Sequence, residues 1–412
     1  MSKAIGKRLG DIVTFKRGYD LTASERLSGT YPVISSGGIT GYHSEYKRDG
    51  EGIVTGRYGT LGEVYYVNGK YWPHNTTLYS SDFHGNCPKY VYYLMKCLGN
   101  LKTSDKSTVP GINRNDLHEL VIPFIEDKNS QIAIAKLLSS LDNKIEINQK
   151  VNGELEAMAK NLYDYWFVQF DFPNAKGQPY KTGGGKMVYN EILKREIPEE
   201  WKVKQLGDLA NSINTGLNPR KHFKLGEGSN YYITIKNIEY GRLLFDSSCA
   251  FISDKSLQRV QRRSRLEKGD ILFTSIEPVG KTYLLHEEPH NWNINESVFS
   301  FKPTRNVSSE FLFMLLSSDE IRMKCKNAST GSIHKGIRIT PLKEFNVILP
   351  ETTILENFTE ITSRVLKKID NNQKQNRQVT NLREWLLPLL MNGQVNVDAV
   401  CEKANEMHYS LS

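Results

Sequence analysis

The period of the apolar positions changes along the chain, and the changes mark out its parts. Over residues 1–128 the apolar runs are short and separated by glycine-bearing turns. Tyr31-Pro32-Val33-Ile34 precedes Ser35-Ser36-Gly37-Gly38, and Gly52-Ile53-Val54-Thr55-Gly56 and Gly62-Glu63-Val64-Tyr65-Tyr66-Val67 follow. Runs of this length, rich in β-branched and aromatic residues and bounded by turn formers, predict strands and hairpins. Tyr90–Leu98 predicts a short buried helix. Leu120-Val121-Ile122-Pro123 predicts a last strand stopped by its proline.

From Ser130 the step becomes three or four residues: Ile134, Leu138, Leu141, Ile145, Asn148, Asn152, Leu155, Ala159, Leu162 and Trp166. This is a heptad seam, interrupted only by Gly153. About 35 residues at 1.5 Å each make a rod of roughly 50 Å. A seam sustained this long predicts packing on another long helix. Phe170–Glu200, with Phe172-Pro173, Gln178-Pro179, Gly183-Gly184-Gly185 and Ile197-Pro198, reads as a linker. A second strand-rich part follows to about Pro350, with strands expected at Tyr231–Ile235, Asp270–Thr274 and Ser297–Phe301. A second seam then runs through Phe358, Ile361, Val365, Ile369, Asn372, Asn376, Val379, Leu382, Leu386 and Leu390, with Gly393 as its C-cap. The expected fold class is α+β. Two similar strand-rich domains, 1–128 and 198–350, alternate with long helices at 129–169 and 351–393; 170–197 is a linker and 394–412 a frayed tail.

The parts repeat. Lys7-Arg8-Leu9-Gly10-Asp11-Ile12 returns as Lys204-Gln205-Leu206-Gly207-Asp208-Leu209. Ile145-Glu146-Ile147-Asn148-Gln149-Lys150 returns as Ile369-Asp370-Asn371-Asn372-Gln373-Lys374. Leu9 to Leu206 is an offset of 197 residues and Asn148 to Asn372 one of 224, so the second copy carries insertions. Periods this long mean duplicated domains, not a solenoid. Asn148, Asn152, Asn372 and Asn376 fall on the seams. Buried asparagines there cost stability and fix register; a drifting seam would instead leave them exposed. An antiparallel helix pair would relate the copies by a pseudo-twofold axis and set the strand-rich domains at opposite ends of the rod.

A hydrophobic content of 39% and a charged content of 24% describe an ordinary globular protein. The formal net charge of +8 adds something: a polyanionic partner, most often nucleic acid. Cys87, Cys97, Cys249, Cys325 and Cys401 stand far apart, without zinc-ligand spacing, which suits a reducing cytosol. The chain reads as cytoplasmic, with no signal peptide and no membrane span.

Enzyme motifs fail one by one. Gly280-Lys281-Thr282 imitates a phosphate loop, but Ser275 replaces its first glycine and Pro278 sits inside it. Gly183-Gly184-Gly185-Lys186 lacks the hydroxyl that holds magnesium. No Asn/Asp-Pro-Pro-aromatic segment is present to hold a flipped adenine; Asn218-Pro219-Arg220 comes nearest. No GxGxxG serves an adenosyl cofactor, and no histidine cluster serves a metal. The expectation is no catalytic centre, no cofactor and no metal.

Basic and aromatic groups beside glycines say more. The first domain offers Lys16, Arg17, Tyr19, Ser36, Arg57, Tyr58, Asn113 and Arg114. The second offers Arg220, Lys221, Arg259, Arg262, Arg263, Arg265, Lys281, His334, Lys335 and Arg338. Arginines neutralise phosphates or bind guanine edges, and Ser, Asn and Gln read adenine. Each cluster taken alone also fits a solvated face. Double-stranded DNA is the partner expected of the set.

The helices carry a resemblance. Ile145-Glu146-Ile147-Asn148-Gln149-Lys150 leading to Leu162-Tyr163-Asp164-Tyr165-Trp166-Phe167 resembles the central helix of type I restriction–modification specificity subunits. Trp385-Leu386-Leu387-Pro388-Leu389-Leu390-Met391-Asn392-Gly393-Gln394 resembles the end of its partner. Ile197-Pro198-Glu199-Glu200-Trp201 is similar to the start of that family's second target recognition domain. Gly56-Arg57-Tyr58-Gly59 with Trp72–Tyr79 resembles a recurrent recognition segment. The resemblance implies two recognition domains, each reading half of a split DNA site. It implies two methylation subunits that methylate an adenine in each half, restriction subunits that join to cut, and no chemistry in this chain. Leu141, Ile145, Asn148, Asn152, Leu155, Val365, Ile369, Asn372, Asn376 and Val379 would belong to the helical spacer, which sets half-site centres about 10 bp apart. The second domain departs at Thr274–Lys281, where the Arg57 segment would stand, which implies different half-sites. A self-contained nuclease or methyltransferase and a coiled-coil scaffold are the alternatives.

Overall fold

Short runs between turns became strands, and the two seams became two helices that thread two compact units. The structure, a computed structural model, describes residues 4–57, 63–100, 114–329 and 335–395. Unit 1 comprises residues 1–147 and 375–412, and unit 2 residues 148–374. Unit 1 contains, in chain order, β1 (Ile5–Arg8), β2 (Thr14–Arg17), β3 (Tyr31–Ser35), β4 (Gly38–His43), β5 (Glu51–Gly56), β6 (Val64–Asn68), β7 (Trp72–Pro73), β8 (Thr77–Asp82), α1 (Pro88–Asn100), α2 (Arg114–Glu119) and β9 (Val121–Phe124). The long helix α3 (Lys128–Tyr163) follows.

Unit 2 contains β10 (Met187–Asn190), β11 (Arg195–Pro198), β12 (Lys202–Gln205), β13 (Ala210–Thr215), α4 (Pro219–His222), β14 (Asn230–Ile233), β15 (Ile238–Glu239), β16 (Arg242–Leu243), β17 (Ala250–Ile252), α5 (Asp254–Gln261), β18 (Ile271–Thr274), β19 (Thr282–Leu284), β20 (Trp292–Ile294), β21 (Val298–Pro303), α6 (Ser309–Ser317), α7 (Asp319–Ala328), α8 (Ile339–Lys343) and β22 (Asn346–Leu349). The second long helix is α9 (Thr352–Met391), which ends where Gly393 takes a φ of +66°.

The two units share one topology. Unit 1 has sheets in the order β2-β8-β5-β6 and β4-β3-β7, with β1 on β9; unit 2 has β13-β21-β18-β19 and β17-β14-β20, with β12 on β22. The β3/β7 and β14/β20 pairs are parallel, and every other pair is antiparallel. Unit 2 places its extra residues in two connections: the β15–β16 hairpin between β14 and β17, and α5, capped by Ser253, between β17 and β18.

In unit 1, α1 packs on β5 and β6, and the start of α3 (Ile134, Leu138) and the end of α9 (Leu386, Leu387, Leu390) close the core. In unit 2 the roles reverse. The end of α3 (Ala159, Tyr163) and the start of α9 (Leu355, Phe358) close a core built on α6. Within each unit the two helices run antiparallel: Asp142 pairs with Arg383 in unit 1, and Asn152 meets Ile369 and Asn372 in unit 2.

Three expectations need correction. The segment 170–197 is no bare linker. Phe170 and Phe172 are buried against Trp201, Phe172 stacks on Tyr180 at 4.6 Å, and β10 pairs with β11. Burial of Phe170, Phe172 and Trp201, with Tyr180 stacked on Phe172, gives this segment a core of its own despite its turn-forming residues. The second seam also drifts. Ile361 is 38% exposed and Leu382 43%, while Thr362 is buried and Arg383 half-buried in their places. A straight helix turns every 3.6 residues, so a strict 3.5 count slips off the buried face. Thr362 donates its hydroxyl to the Phe358 carbonyl at 2.8 Å, and Arg383 has Asp142, so neither polar group is stranded. Finally, β9 runs through Pro123 to Phe124, with Pro123 opposite Gly6. In a two-stranded pair both strands are edges, and a missing N–H is tolerated.

Asp270, at the start of β18, gives unit 2 a pH dependence. It is 2% exposed and accepts the Glu267 N–H at 3.0 Å. Burial pushes its pKa from 3.8 up to about 6, against the lowering by that N–H and by Lys302. The folded carboxyl therefore binds its proton more tightly than the unfolded one. Its contribution is present below about pH 4 and is lost as pH rises through about 6. Asp270→Asn is expected to be more stable than the parent at pH 7.5, with the gap closing below pH 4. Denaturant midpoints across that range check it, and a gap that ignores pH refutes it.

Candidate nucleic-acid interface

Each unit gathers polar loops where the ends of its two sheets meet. In unit 1 the junction turns on Gly18. A Cβ there would stand 2.1 Å from the His74 carbonyl oxygen, so only glycine lets β2 pass this close to the strand-to-strand connection. Gly18 N–H donates to Thr77 O at 3.0 Å and Tyr19 N–H to Pro73 O at 2.8 Å.

Around this point stand the polar side chains. Asp20 pairs with Arg17 at 3.4 Å and accepts from the Asn75 amide. Arg57 N–H donates to Thr76 O at 3.0 Å, and its guanidinium reaches Asn75 O at 3.4 Å. Ser36 N–H donates to Thr76 Oγ1 at 3.4 Å. Arg17, Ser36 and Arg57 are thus brought to one loop cluster, with exposed Lys16 beside Arg17 on β2. Tyr19 is half-buried: its hydroxyl lies 2.9 Å from that of Tyr79, and its ring meets Trp72 edge-on, so it braces the cluster from below. Burial and the Tyr19 hydroxyl hold the Tyr79 phenol above its ordinary pKa. Lys47 sits 4.6 Å above the Trp72 ring. Arg114 opens α2 and rests on the Asn115 side chain at 3.4 Å. Tyr58 and Asn113 lie outside the described residues.

Unit 2 repeats the junction with other side chains. A Cβ on Gly216 would stand 1.7 Å from Ile294 O. Ser275 N–H donates to Ser297 O at 2.9 Å, the bond that Arg57 makes to Thr76 in unit 1. Thr215 occupies the place of Arg17, pairing with Phe299 as Arg17 pairs with Leu78. Arg263, arriving from α5, donates to Thr215 Oγ1 at 3.3 Å and so restores a guanidinium there. Asn218 caps α4 by accepting the Arg220 N–H at 2.9 Å and donates to Glu296 at 2.9 Å. Arg220 and Lys221 are exposed on α4, which Arg259 ties to α5 through His222 O at 2.8 Å. Lys335 O accepts Glu277 N–H at 3.0 Å, so the 335–337 strip lines the 275–281 loop, and Lys281 N–H donates to Thr274 Oγ1 at 2.9 Å. Arg338 is exposed just before α8, and Arg262 is exposed after α5. Arg265 is drawn away to Glu267 at 3.4 Å, whose carboxylate also holds Lys302 near the far end of β21. His334 lies outside the described residues.

Asp20, Thr215 and Glu296 were not among the expected site residues; Asn75 and Thr76 stood only inside the Trp72–Tyr79 resemblance, and Asn218 only as the nearest approach to a base-holding motif. One signal was available: Arg17-Gly18-Tyr19-Asp20 and Thr215-Gly216-Leu217-Asn218 occupy matching places after matching strands.

A sequence profile described as the type I restriction modification DNA specificity domain matches residues 5–157 and 198–381. The chain belongs to that family. It is 28% identical over 322 residues to the type I restriction enzyme MjaIX specificity subunit of Methanocaldococcus jannaschii, covering 76% of this chain and 70% of that one. It is 24% identical over 340 residues to the HindI specificity subunit of Haemophilus influenzae, covering 71% and 72%. The crystal structure of the type I restriction–modification S subunit from M. genitalium shares the fold, with a TM-score of 0.58 at 19% identity over 94% of this chain and 96% of that one. Among the described residues, no helix of this specificity subunit is long and apolar enough to cross a membrane, and no group of His, Cys, Asp or Glu is placed to hold a metal.

The helix positions of the specificity subunit form their own polar contacts. Asn152 and Asn372 are buried; Asn372 donates to Asn152 Oδ1 at 2.8 Å, and Asn152 donates to Ile369 O at 3.3 Å. Asn376, half-buried, donates to Ile145 O at 3.4 Å. Asn148 and Ile369 are buried, while Leu141, Leu155, Val365 and Val379 are half-buried. Asn372→Leu alone leaves Asn152 without its donor inside the helix pair. That single change is expected to cost about 1–3 kcal/mol, whereas changing both asparagines to leucine approaches neutrality. Denaturant midpoints decide it: a double variant weaker than either single would refute the account.

Proposed function

We propose that this specificity subunit reads a bipartite, gapped site in double-stranded DNA, one half with residues 1–128 and the other with residues 198–350. In this reading α3 and α9 are the spacer. Two methylation subunits dock on the assembly for adenine-N6 methylation, restriction subunits join it, and the chain itself performs no chemistry. The work is done in the cytoplasm. The observation that carries the reading is the duplicated loop cluster: the same glycine-centred junction in each unit, furnished with different polar side chains. Arg57 in one unit answers to Ser275 in the other, so the half-sites differ in sequence. The net charge of +8 supplies the salt-dependent, sequence-independent part of the binding. The relatives, named as specificity subunits of type I restriction enzymes, support the assembly.

Single-molecule mapping of methylated adenine in cells with and without the gene tests this. Loss of methylation at one gapped, asymmetric motif on both strands is the expected result. A methylome that keeps every motif, in cells whose methylation subunits are expressed, would refute it.

A further inference from the structure

The loop clusters contain an amide–carboxylate pair that the two units carry in opposite orientation. Strand register makes the comparison exact enough to name positions. Arg17 pairs with Leu78 and Thr215 with Phe299; Gly56 pairs with Thr77 and Thr274 with Val298. His74 N–H donates to Ile34 O at 2.8 Å, and Asn295 N–H to Ile233 O at 2.8 Å. Gly18 thus answers to Gly216 and Asp20 to Asn218, while His74 answers to Asn295 and Asn75 to Glu296. In unit 1 the carboxylate is on the first loop and the amide on the second: Asn75 donates to Asp20. In unit 2 the amide is on the first loop and the carboxylate on the second: Asn218 donates to Glu296 at 2.9 Å.

As a brace between loops, both arrangements form one N–H···O bond, and each first-loop group has a second local partner: Asp20 pairs with Arg17, and Asn218 accepts the Arg220 N–H. As a surface offered to a base, the two are opposites. A carboxylate only accepts, and it suits the exocyclic amino group of cytosine or adenine; an amide both donates and accepts, and it suits adenine N6 and N7. A carboxylate in a cationic interface also repels phosphate, so the presence of Asp20 beside Arg17 works against plain affinity.

We propose that Asp20 with Asn75, and Asn218 with Glu296, are specificity-determining pairs. Each presents its amide and its carboxylate to base edges carrying exocyclic amino groups, and the exchange of the two groups between units makes the half-sites differ at that position. The inference rests on the DNA-reading function proposed above.

The test is an exchange that keeps the brace. Asp20→Asn combined with Asn75→Asp swaps the groups of unit 1 and preserves a hydrogen bond between the loops. The full chain, assembled with its methylation subunits, is used to select from a random-sequence duplex DNA library. The parent protein is expected to select a two-part motif. The exchanged variant is expected to shift preference by about tenfold or more at one or two adjacent base pairs of one half, with the other half unchanged. If the exchanged protein melts early, Asn218→Asp with Glu296→Gln carries the same test in unit 2. An unchanged motif, with the fold intact by thermal melting, overturns the inference and leaves the pairs as braces. Loss of preference in both halves overturns it as well. A parent protein that selects no motif refutes the DNA-reading function itself.

Discussion

Phe358→Ala is expected to lower the melting temperature by roughly 10 °C. Phe358, in the first turns of α9, is fully buried and lies at ring-centroid distances of 4.8 Å from Phe167, 5.8 Å from Trp166 and 6.3 Å from Tyr163. Phe167 in turn meets Trp201 at 5.8 Å and Phe311 at 5.1 Å. Phe358 therefore joins the start of α9 to Tyr163 at the end of α3 and to Phe167, which in turn reaches Trp201 and α6. Truncation to alanine removes the transfer free energy of the ring and leaves a cavity whose walls are themselves rigid aromatics. Such changes cost about 3–5 kcal/mol, and in a unit of this size each kcal/mol moves the midpoint by about 2–4 °C. Exposed Trp385, also on α9, is the control: Trp385→Ala is expected to leave the midpoint nearly unchanged. Calorimetry checks both. A Phe358→Ala shift no larger than that of the control would show that the aromatic cluster is not what holds α9 to unit 2.

Gly18→Ala is the second large effect, and its readout is selective. The added methyl would stand 2.1 Å from His74 O and 2.6 Å from Pro73 O, both backbone atoms. No rotamer change can relieve contacts with backbone. The strands must separate, which breaks the Gly18–Thr77 and Tyr19–Pro73 hydrogen bonds. Overpacking of this kind costs about 3 kcal/mol, and here it falls on the junction that positions Arg17, Asp20, Asn75 and Arg57. Recognition of one half-site is expected to fail while the other persists, with Gly216→Ala giving the reverse. Gly37→Ala, in the neighbouring β3–β4 turn with nothing within 4 Å of the added Cβ, is expected to change neither. DNA selection with each variant checks this. Equal damage to both half-sites from Gly18→Ala would refute the assignment of one half-site to each unit.

Much of this architecture was legible in the chain. Local periodicity identified the strands at Tyr31–Ser35, Glu51–Gly56 and Ile271–Thr274 and both long helices, because burial of one face imposes its period directly on the sequence. The asparagines at 152 and 372 stood out because a polar residue interrupts an otherwise apolar seam. The linker was misread because glycine and proline are strong local signals, whereas Phe170, Phe172 and Trp201 act only once they meet. The slip at Ile361 and Leu382 arose because a count of three and four does not say which of two adjacent residues faces the partner helix.

The polar site was less legible, since it is assembled by contacts between residues far apart in sequence. Arg17 and Arg57 were evident as basic residues beside glycines, but Asp20 was not, and Asn75 was visible only as part of a resembling segment, because acidic and amide residues in loops are ordinary. Arg263 and Arg265 looked alike in one basic run. Their neighbours separate them: Thr215 draws the first to the strand ends, and Glu267 draws the second away.

Repeats and periodicity are properties of the linear order, so a duplicated α+β chain with two strand-rich domains and two long helices could be read directly from the residues. Which polar side chains share a loop cluster, and that Asp20–Asn75 and Asn218–Glu296 are one pair in two orientations, emerged from the folded chain alone. Cross-strand register sets those neighbours, and register is fixed by hydrogen bonds and close backbone approaches that join residues distant along the chain.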